Sequence, residues 1–177
     1  MAAIESKLTA DVLPEEFDRI YRAHSGFIYR TAYRMTGNSE DAEDVLQTLF
    51  ARMLRRDLPP EFARNPKAYL YRAAVNIALN LIRSRRSTPV ATLDEFEETS
   101  SSEDYRSQAE MRETVRMALA ELSPKAAEIL ILRHVHGYSD VEIARLLGTS
   151  RGTIAVSLFR SRARLRKTIR AYLGDKS

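Results

Sequence analysis

The residues whose types and spacing best suit chemistry are basic side chains near the C-terminal end of the chain. Every charged residue between positions 151 and 170 is basic: Arg151, Arg160, Arg162, Arg164, Arg166, Lys167 and Arg170. The planar arginine side chain donates two parallel hydrogen bonds, which suits both phosphate oxygens and the edge of guanine. Because like charges repel, such a cluster indicates a surface for phosphates or an acidic partner. A merely solvated basic surface is the alternative.

The elements that must position these side chains have a helix-turn-helix pattern over residues 138–170. Ser139 and Glu142 have the spacing of a capping box, in which the serine caps an early amide and the glutamate reaches back. The short helix that they begin is expected to end at Gly148, and a longer helix follows. In such motifs the second helix lies in the major groove of DNA. An αα-hairpin with a basic solvated face is the other interpretation.

Apolar residues recur at helical spacing along nearly the whole chain, and no strand pattern stands out. A first helix is expected to end at Gly37. A third begins at Asn65-Pro66, with asparagine as the N-cap and proline at the first helical position. The stripe of this third helix that is expected to be buried consists of Tyr71, Ala74, Val75, Ala78, Leu79 and Ile82. The sequence therefore predicts an all-α fold.

The second predicted helix has an acidic outer face. Its inward residues are expected to be Ala42, Val45, Leu46, Leu49, Phe50 and Met53. This pattern leaves Asp41, Asp44 and Thr48 on the outer face. The two carboxylates have no neighbouring histidine in the pattern, so they indicate either ordinary solvation or a contact for a basic partner.

An acidic, serine-rich stretch with few apolar residues separates the N-terminal helices from the helix-turn-helix. This stretch has one basic residue, Arg106. Its acidic residues are Asp94, Glu95, Glu97, Glu98, Glu103, Asp104 and Glu110. Such a composition is typical of a linker. We therefore expect two small helical domains, residues 1–86 and 110–177, joined by a flexible acidic linker over residues 87–109. The helix-turn-helix belongs to the second domain.

The composition also argues against several classes of protein. The 177 residues include no cysteine, so neither a disulfide framework nor a thiolate zinc site is expected, and a reducing, cytoplasmic compartment fits. No apolar run is long enough for a membrane-spanning helix, so no membrane insertion is expected. The three histidines, His24, His134 and His136, do not have the spacing of a shared metal site. We expect no catalytic residue, no metal, no cofactor and no enzymatic activity.

Three segments, taken in order, resemble the sigma factors of bacterial RNA polymerase, which belong to the sigma-70 family. The likeness is greatest to the two-domain extracytoplasmic-function (ECF) group. Residues 39–50 are similar to the acidic helix by which these factors hold the largest polymerase subunit. Residues 65–83 are similar to the helix that recognises and opens the −10 promoter element. Residues 138–166 resemble the domain that reads the −35 element.

The resemblance implies roles for particular residues of this chain. The polymerase-binding positions are Asp41, Asp44, Gln47 and Thr48. The positions facing the −10 element are Tyr69, Arg72, Asn76, Asn80 and Arg83. The positions facing the −35 element are Ser150, Arg151, Thr153, Val156, Ser157, Arg160, Arg162 and Arg164. The loop at residues 55–64 stands where the family holds a flipped base, and no residue is assigned there. The implied partners are core RNA polymerase, double-stranded and locally melted promoter DNA, and an anti-sigma factor.

The second helix of the helix-turn-helix departs from the family pattern. After Ile154 the family commonly has Lys-Ser-Arg, whereas residues 155–157 here are Ala-Val-Ser. This change removes two basic side chains, a lysine and an arginine, that would contact DNA from the front of the helix. Either the protein reads an unusual −35 sequence, or it binds more weakly and depends on Arg151, Arg160 and Arg162.

The predicted function is that of a dissociable specificity subunit of RNA polymerase. It would bind core RNA polymerase, locate the −10 and −35 promoter elements and promote melting of the DNA to start transcription. The main rival is a free-standing helix-turn-helix regulator, which needs no acidic polymerase-binding face and would normally bind a palindrome as a dimer. A helical metalloenzyme is the third hypothesis, and it rests on the scattered histidines alone.

Overall fold

The structure is a computed structural model that describes residues 14–55, 58–87 and 103–174. Within these residues the chain forms eight helices and no strand, which confirms the predicted all-α fold. The helices are α1 (Pro14–Thr36), α2 (Ser39–Arg55), α3 (Pro60–Arg64), α4 (Pro66–Ser87), α5 (Glu103–Ala120), α6 (Pro124–His134), α7 (Asp140–Leu147) and α8 (Arg151–Gly174). None of the helices in these ranges is long and apolar enough to span a bilayer.

The helix ends lie where the capping residues and glycines predict them. The amide of Ala68 donates to Oδ1 of Asn65 at 3.0 Å, so Asn65 caps α4 and Pro66 occupies its first position. The predicted stop residues Gly37 and Gly148 both have positive φ angles, of 85° and 64°. In this left-handed region a side chain would be strained, which is why glycine is favoured at these helix ends.

Two features of the middle of the chain differ from the sequence-based expectation. The loop expected at residues 55–64 contains the short helix α3, which begins at Pro60. Helix α5 begins at Glu103, so the last part of the predicted linker is helical. The acids Asp94, Glu95, Glu97 and Glu98 lie outside the described residues. The domain boundaries themselves therefore stay a prediction.

Helices α1, α2 and α4 pack together to form the N-terminal half of the molecule. The predicted inward stripe of α4 is buried at every position. It meets Ile28 and Met35 from α1 and Val45 from α2, all of which are almost completely buried. These apolar contacts hold α4 in a fixed orientation, and its opposite side carries the residues predicted to face the −10 element.

Helices α5 to α8 form the C-terminal half, and their buried apolar side chains are continuous with those of the first half. The largest fully buried side chains of this half are Leu122, Ile129, Leu132, Ile143 and Ile154. Helix α6 begins at an N-cap serine, Ser123, whose Oγ accepts from the amide of Ala126 at 3.3 Å. This packing holds α7 and α8 in the helix-turn-helix arrangement.

The two halves are packed against each other, chiefly through α4 and α6, and we call this the closed arrangement. Tyr71 of α4 is completely buried, and its hydroxyl donates to the carbonyl oxygen of Glu128 on α6 at 2.6 Å. Burial, with the nearby Glu128 carboxylate, raises the pKa of Tyr71 well above its usual value. The side of α4 that the periodicity predicts to be buried therefore packs against helices of both halves.

Candidate nucleic-acid interface

The turn of the helix-turn-helix is fixed by capping at both of its helices. The predicted capping box is present: the Ser139 amide donates to the Glu142 carboxylate at 2.8 Å, and the Glu142 amide donates to Ser139 Oγ at 3.3 Å. The Ser139 hydroxyl, which donates to the same carboxylate at 2.6 Å, and the Ser139 amide lower the pKa of Glu142. Before α8, Ser150 Oγ accepts from the amide of Thr153 at 3.1 Å. The start of α8 is therefore held at a set angle to α7.

Helix α8 has one buried side and presents its polar side outward. Ile154 and Leu158 are buried against the domain. Seven of the eight positions predicted to face the −35 element are exposed, and Ser157 is half-buried. Arg160 and Arg164 line a shallow cavity of about 370 Å³ between α8 and the start of α6. The predicted positions therefore lie around the open side of one helix.

One of the predicted arginines has a partner within the protein. The guanidinium of Arg162 lies 3.3 to 3.4 Å from Nε2 of His134. Partial burial, together with Arg162 and Arg133, lowers the pKa of His134, so its neutral ring nitrogen can accept from the guanidinium. His134 thus orients Arg162 at the edge of the exposed face of α8.

A second polar surface lies on the N-terminal half, beside a cavity of about 380 Å³. Tyr69 and Asn76 of α4 line this cavity together with Arg52 of α2 and the segment Leu58-Pro59. The ring of Tyr69 rests edge-on against Phe62 of α3, with the ring centroids 5.6 Å apart. Asn80 is exposed further along α4. The structure therefore brings an aromatic ring, an amide and a cation to the rim of one cavity.

Two residues predicted to face the −10 element point elsewhere in the closed arrangement. Nη2 of Arg72 donates to the carbonyl of Leu147 at 2.6 Å. Arg83 donates to the carbonyls of Ala120 and Leu122 at 2.9 and 2.7 Å. These acceptors all belong to the C-terminal half, so both guanidinium groups hold the halves together instead of joining Tyr69 at the cavity.

The expected outward position of Asp41 is wrong. Its side chain is only 2% exposed, because it is ion-paired with Arg85 and accepts a hydrogen bond from Nδ2 of Asn38 at 2.8 Å. Asn38 in turn caps the start of α2 by accepting from the Asp41 amide at 2.7 Å. Asp44 and Gln47 are exposed, and Thr48 is half-buried. The acidic outer face of α2 is thus narrower than the spacing suggested.

Sequence analysis missed a cluster that joins the two halves around His136. Nε2 of His136 lies 2.8 Å from Oγ1 of Thr31, and its ring lies 4.3 Å from the ring of Phe27, centroid to centroid. Nζ of Lys67 donates to the hydroxyl of Tyr138 at 2.5 Å. Burial, with Arg30 and Lys67 nearby, lowers the pKa of His136 to about 4. The spacing of residues 136–138 carries no signal that they meet α1.

The histidines have separate surroundings. His134 and His136 have different partners, Arg162 and Thr31. His24 is half-buried beside the cluster, and burial, together with Lys67, lowers its pKa. Within the described parts of the chain, no three histidine or acidic side chains lie close enough to hold a metal ion.

The fold and these two surfaces define the class: an all-helical protein with a helix-turn-helix in one half and a polar cavity in the other. Residues 20–88 match Sigma-70 region 2, and residues 112–165 match Sigma-70, region 4. RNA polymerase sigma-E factor of Streptomyces coelicolor is 32% identical over 87% of this chain and 86% of its own length. ECF RNA polymerase sigma factor SigM of Mycobacterium tuberculosis is 29% identical over 86% of this chain and 76% of its own.

Among solved structures, CnrH in complex with the cytosolic domain of CnrY has a similar fold, with a TM-score of 0.54 and 23% identity over 89% of each chain. The chain belongs to the ECF group of the sigma-70 family of RNA polymerase sigma factors. Sigma factors are regulators of transcription initiation and not enzymes themselves. Membership of this family favours the predicted sigma-factor role over the free-standing regulator and the helical metalloenzyme.

Proposed function

We propose that this sigma factor binds core RNA polymerase, recognises the −10 and −35 elements of a set of promoters and promotes melting of the DNA. The observation that carries the proposal is the presence of two different DNA-compatible surfaces in one chain. One is the acid-free exposed side of α8. The other is the aromatic and amide rim of the cavity beside α4. A protein that only bound duplex DNA would need the first surface alone.

The exposed side of α8 suits duplex DNA of the −35 element. Its cations Arg151, Arg160 and Arg164 are exposed and lie on a helix that the capped turn presents as the second element of a helix-turn-helix. Contacts to phosphates supply affinity without sequence preference, and contacts to base edges supply specificity. Ser150, Thr153 and the exposed arginines offer donors for both kinds of contact.

The cavity beside α4 suits a base that has left the helical stack. Aromatic rings stack on bases, and amides hydrogen-bond to their edges, so Tyr69 and Asn76 supply both interactions at one rim. Its volume falls within the usual range of small-ligand sites. A base held there cannot pair with its complement, and this capture would favour the melted state of the −10 element.

The proposed contact with polymerase lies on the exposed side of α2. Asp44 and Gln47 are exposed there, with Thr48 half-buried beside them. Because Asp41 is buried, we assign it to positioning the start of α2 and not to the contact itself. A basic surface on the polymerase would complement this side of the helix.

A partner that holds the closed arrangement would keep this sigma factor inactive. Arg72 and Arg83 are bound to carbonyl groups of the C-terminal half, so the −10 surface is incomplete until the halves separate. CnrH, whose fold is similar, is found in complex with the cytosolic domain of CnrY. We include an anti-sigma factor that stabilises the closed arrangement in the proposed function.

The proposal is tested by run-off transcription with purified core polymerase and fragmented genomic DNA. We expect transcript start sites that core alone does not give, and co-purification of this protein with core. Tyr69→Ala should reduce the yield of open complex, and the binding to DNA that already contains an unpaired bubble, more than it reduces binding to fully paired promoter DNA. If the full-length protein neither binds core nor creates start sites, the proposed function is wrong.

A further inference from the structure

The outermost side of the first half of α8 carries two exposed apolar side chains. Ile154 and Leu158 face the domain, and at 100° per residue Val156 lies directly opposite them, with Phe159 on one side of it and Arg160 on the other. Val156 is 49% exposed and Phe159 is 72% exposed, the highest exposure among the large hydrophobic side chains that the structure describes. We call these two residues the apolar front of α8. They lie on the face that a helix-turn-helix turns towards DNA, where a bound partner would cover them.

Charge identifies the kind of surface that covers the apolar front. No charged residue lies between Arg151 and Arg160, whereas both ends of this interval are cationic. The following turn adds Arg162 and Arg164, and no acid occurs up to residue 170. An apolar centre between cationic margins complements a DNA groove, in which phosphates border the bases on both sides. An apolar protein partner would make no favourable electrostatic contact with these flanking cations.

The major groove offers an apolar contact of one type, the C5-methyl group of thymine. Aliphatic and phenyl side chains are known to fit that methyl, whereas guanine is read by bidentate arginine or lysine. No arginine or lysine lies in the interval between Arg151 and Arg160. Val156 and Phe159 lie three residues apart, a rise of about 4.5 Å along the helix, which is comparable to the roughly 3.4 Å between base pairs. They can therefore meet neighbouring base pairs.

We propose that Val156 and Phe159 contact thymine methyl groups in the −35 element and make thymine the preferred base opposite the front of α8. The proposal rests on the proposed function, because it requires α8 to enter the major groove of promoter DNA. It assigns the Ala-Val-Ser sequence at residues 155–157 to a changed base preference. It does not attribute that sequence to a general loss of affinity.

The test uses the full-length protein bound to core polymerase. A selection from duplexes randomised upstream of a fixed start-site region gives the preferred −35 sequence. Each thymine of that sequence is then replaced by uracil, which pairs identically but lacks the methyl group. We expect affinity to fall about three- to fivefold at one or two of these positions, the effect of removing one buried methyl group. Substitution elsewhere in the element should have no effect.

Variants identify the residues responsible. Val156→Ala and Phe159→Ala, both at exposed positions, should weaken binding to the thymine duplex and remove its advantage over the uracil duplex. Arg160→Ala should weaken both duplexes by the same factor, because phosphates are unchanged. Val141→Ala, at an exposed position on α7, should change neither affinity.

Two outcomes would overturn the proposal. The first is equal affinity for thymine and uracil duplexes at every position. The second is a loss in Val156→Ala and Phe159→Ala that is the same on both duplexes, which would show that the apolar front is covered by protein. In either case transcription from the selected promoter would leave the proposed function intact. Failure of the holoenzyme to bind or transcribe any promoter would refute that function separately.

Discussion

At the scale of single residues, Asp41 and Asp44 show how neighbouring carboxylates of one helix take different roles. Asp41 is buried and paired with the half-exposed Arg85, and Asn38 completes its contacts. Asp44 lies one turn further and is exposed. A buried carboxylate that loses its charge leaves its partners unsatisfied, whereas an exposed one has little effect on folding. A substitution of Asp41 should therefore affect stability, and a substitution of Asp44 should affect polymerase binding.

We expect Asp41→Asn to lower the free energy of unfolding by about 1–3 kcal/mol, because the ion pair with Arg85 is lost within a mostly buried site. Asp44→Asn should leave stability within about 0.5 kcal/mol and lower the affinity for core polymerase. Denaturant titration and a binding assay with purified core measure the two quantities. An Asp41→Asn variant as stable as the parent would contradict the structural role of Asp41.

His136 gives the closed arrangement a predicted dependence on pH. Its pKa is lowered to about 4 in the folded chain, against about 6.5 in an unfolded one. The unfolded state therefore takes up a proton first as the pH falls, so the contribution of His136 is fully present above pH 6.5 and is lost on acidification towards pH 4. The groups facing it are Arg30, Lys67 and the hydroxyl of Thr31, none of which compensates a positive imidazolium.

We therefore expect the melting temperature to fall between pH 7 and pH 5 by more in the parent protein than in His136→Gln, which keeps a polar group near Thr31 but does not titrate. Glu128 has a raised pKa from burial, and its contribution to stability changes in the opposite direction with pH. Because Glu128 is present in both proteins, its effect cancels in the comparison. Parallel pH profiles for the two proteins would refute the assignment.

At the scale of elements, the turn between α7 and α8 depends on one backbone conformation. Gly148 has φ 64°, and its amide hydrogen-bonds to the Ala144 carbonyl to close α7. A Cβ at this position would meet no atom within 4 Å, so the cost of a side chain comes from the left-handed backbone and not from packing. Gly152 lies in α8 without a positive φ and has room for a Cβ.

These two glycines make a matched pair for a stability measurement. Gly148→Ala should lower the free energy of unfolding by about 1–2 kcal/mol. Gly152→Ala should leave it unchanged or raise it by up to about 1 kcal/mol, because alanine favours a helix. Thermal denaturation of both variants under one condition provides the comparison. A destabilised Gly152→Ala together with a neutral Gly148→Ala would contradict the backbone explanation.

The elements were largely predictable because their signals are local. Asn65, Ser139 and Gly148 act within one helical turn of their own positions, and each lies at the helix end that it predicts. The inward stripe of α4 follows from helical periodicity alone. The short helix α3 was missed, since five residues are too few to show a period.

The contacts of particular site residues were less predictable because they depend on distant parts of the chain. The family resemblance assigned Arg72 to the side of α4 that faces the −10 element, yet its acceptor is the Leu147 carbonyl on α7. Asp41 was placed outward because its partner Arg85 lies 44 positions away. Spacing within one helix cannot reveal which other helix covers a given side.

At the scale of the whole molecule, the closed arrangement is too small to serve both promoter elements at once. The −10 and −35 elements are separated by about 25 base pairs, or roughly 85 Å of duplex. A compact chain of 177 residues has a diameter of only about 40 Å. A fully extended segment spanning residues 88–102 reaches at most roughly 50 Å. Separation of the two halves is therefore required for the proposed function, and the segment between them is long enough to allow it.

Fluorescence energy transfer can measure this separation directly, because the chain has no cysteine of its own. We place single cysteines at two exposed positions, Glu43→Cys on α2 and Ala171→Cys at the end of α8, and label them with a donor and an acceptor. Transfer should be high for the free protein and should fall when the holoenzyme binds promoter DNA. Doubly labelled protein that still supports transcription serves as the control for function.

The closing contacts predict a second change in the same measurement. Tyr71→Phe removes the hydroxyl that donates to the Glu128 carbonyl, a loss of about 0.5–1.5 kcal/mol in the closed arrangement. We therefore expect lower transfer in the free Tyr71→Phe protein than in the parent, with little difference once promoter DNA is bound. High transfer retained in a promoter complex that initiates transcription would show that the closed arrangement is itself the active one. It would also place Arg72 and Arg83 permanently outside the −10 surface.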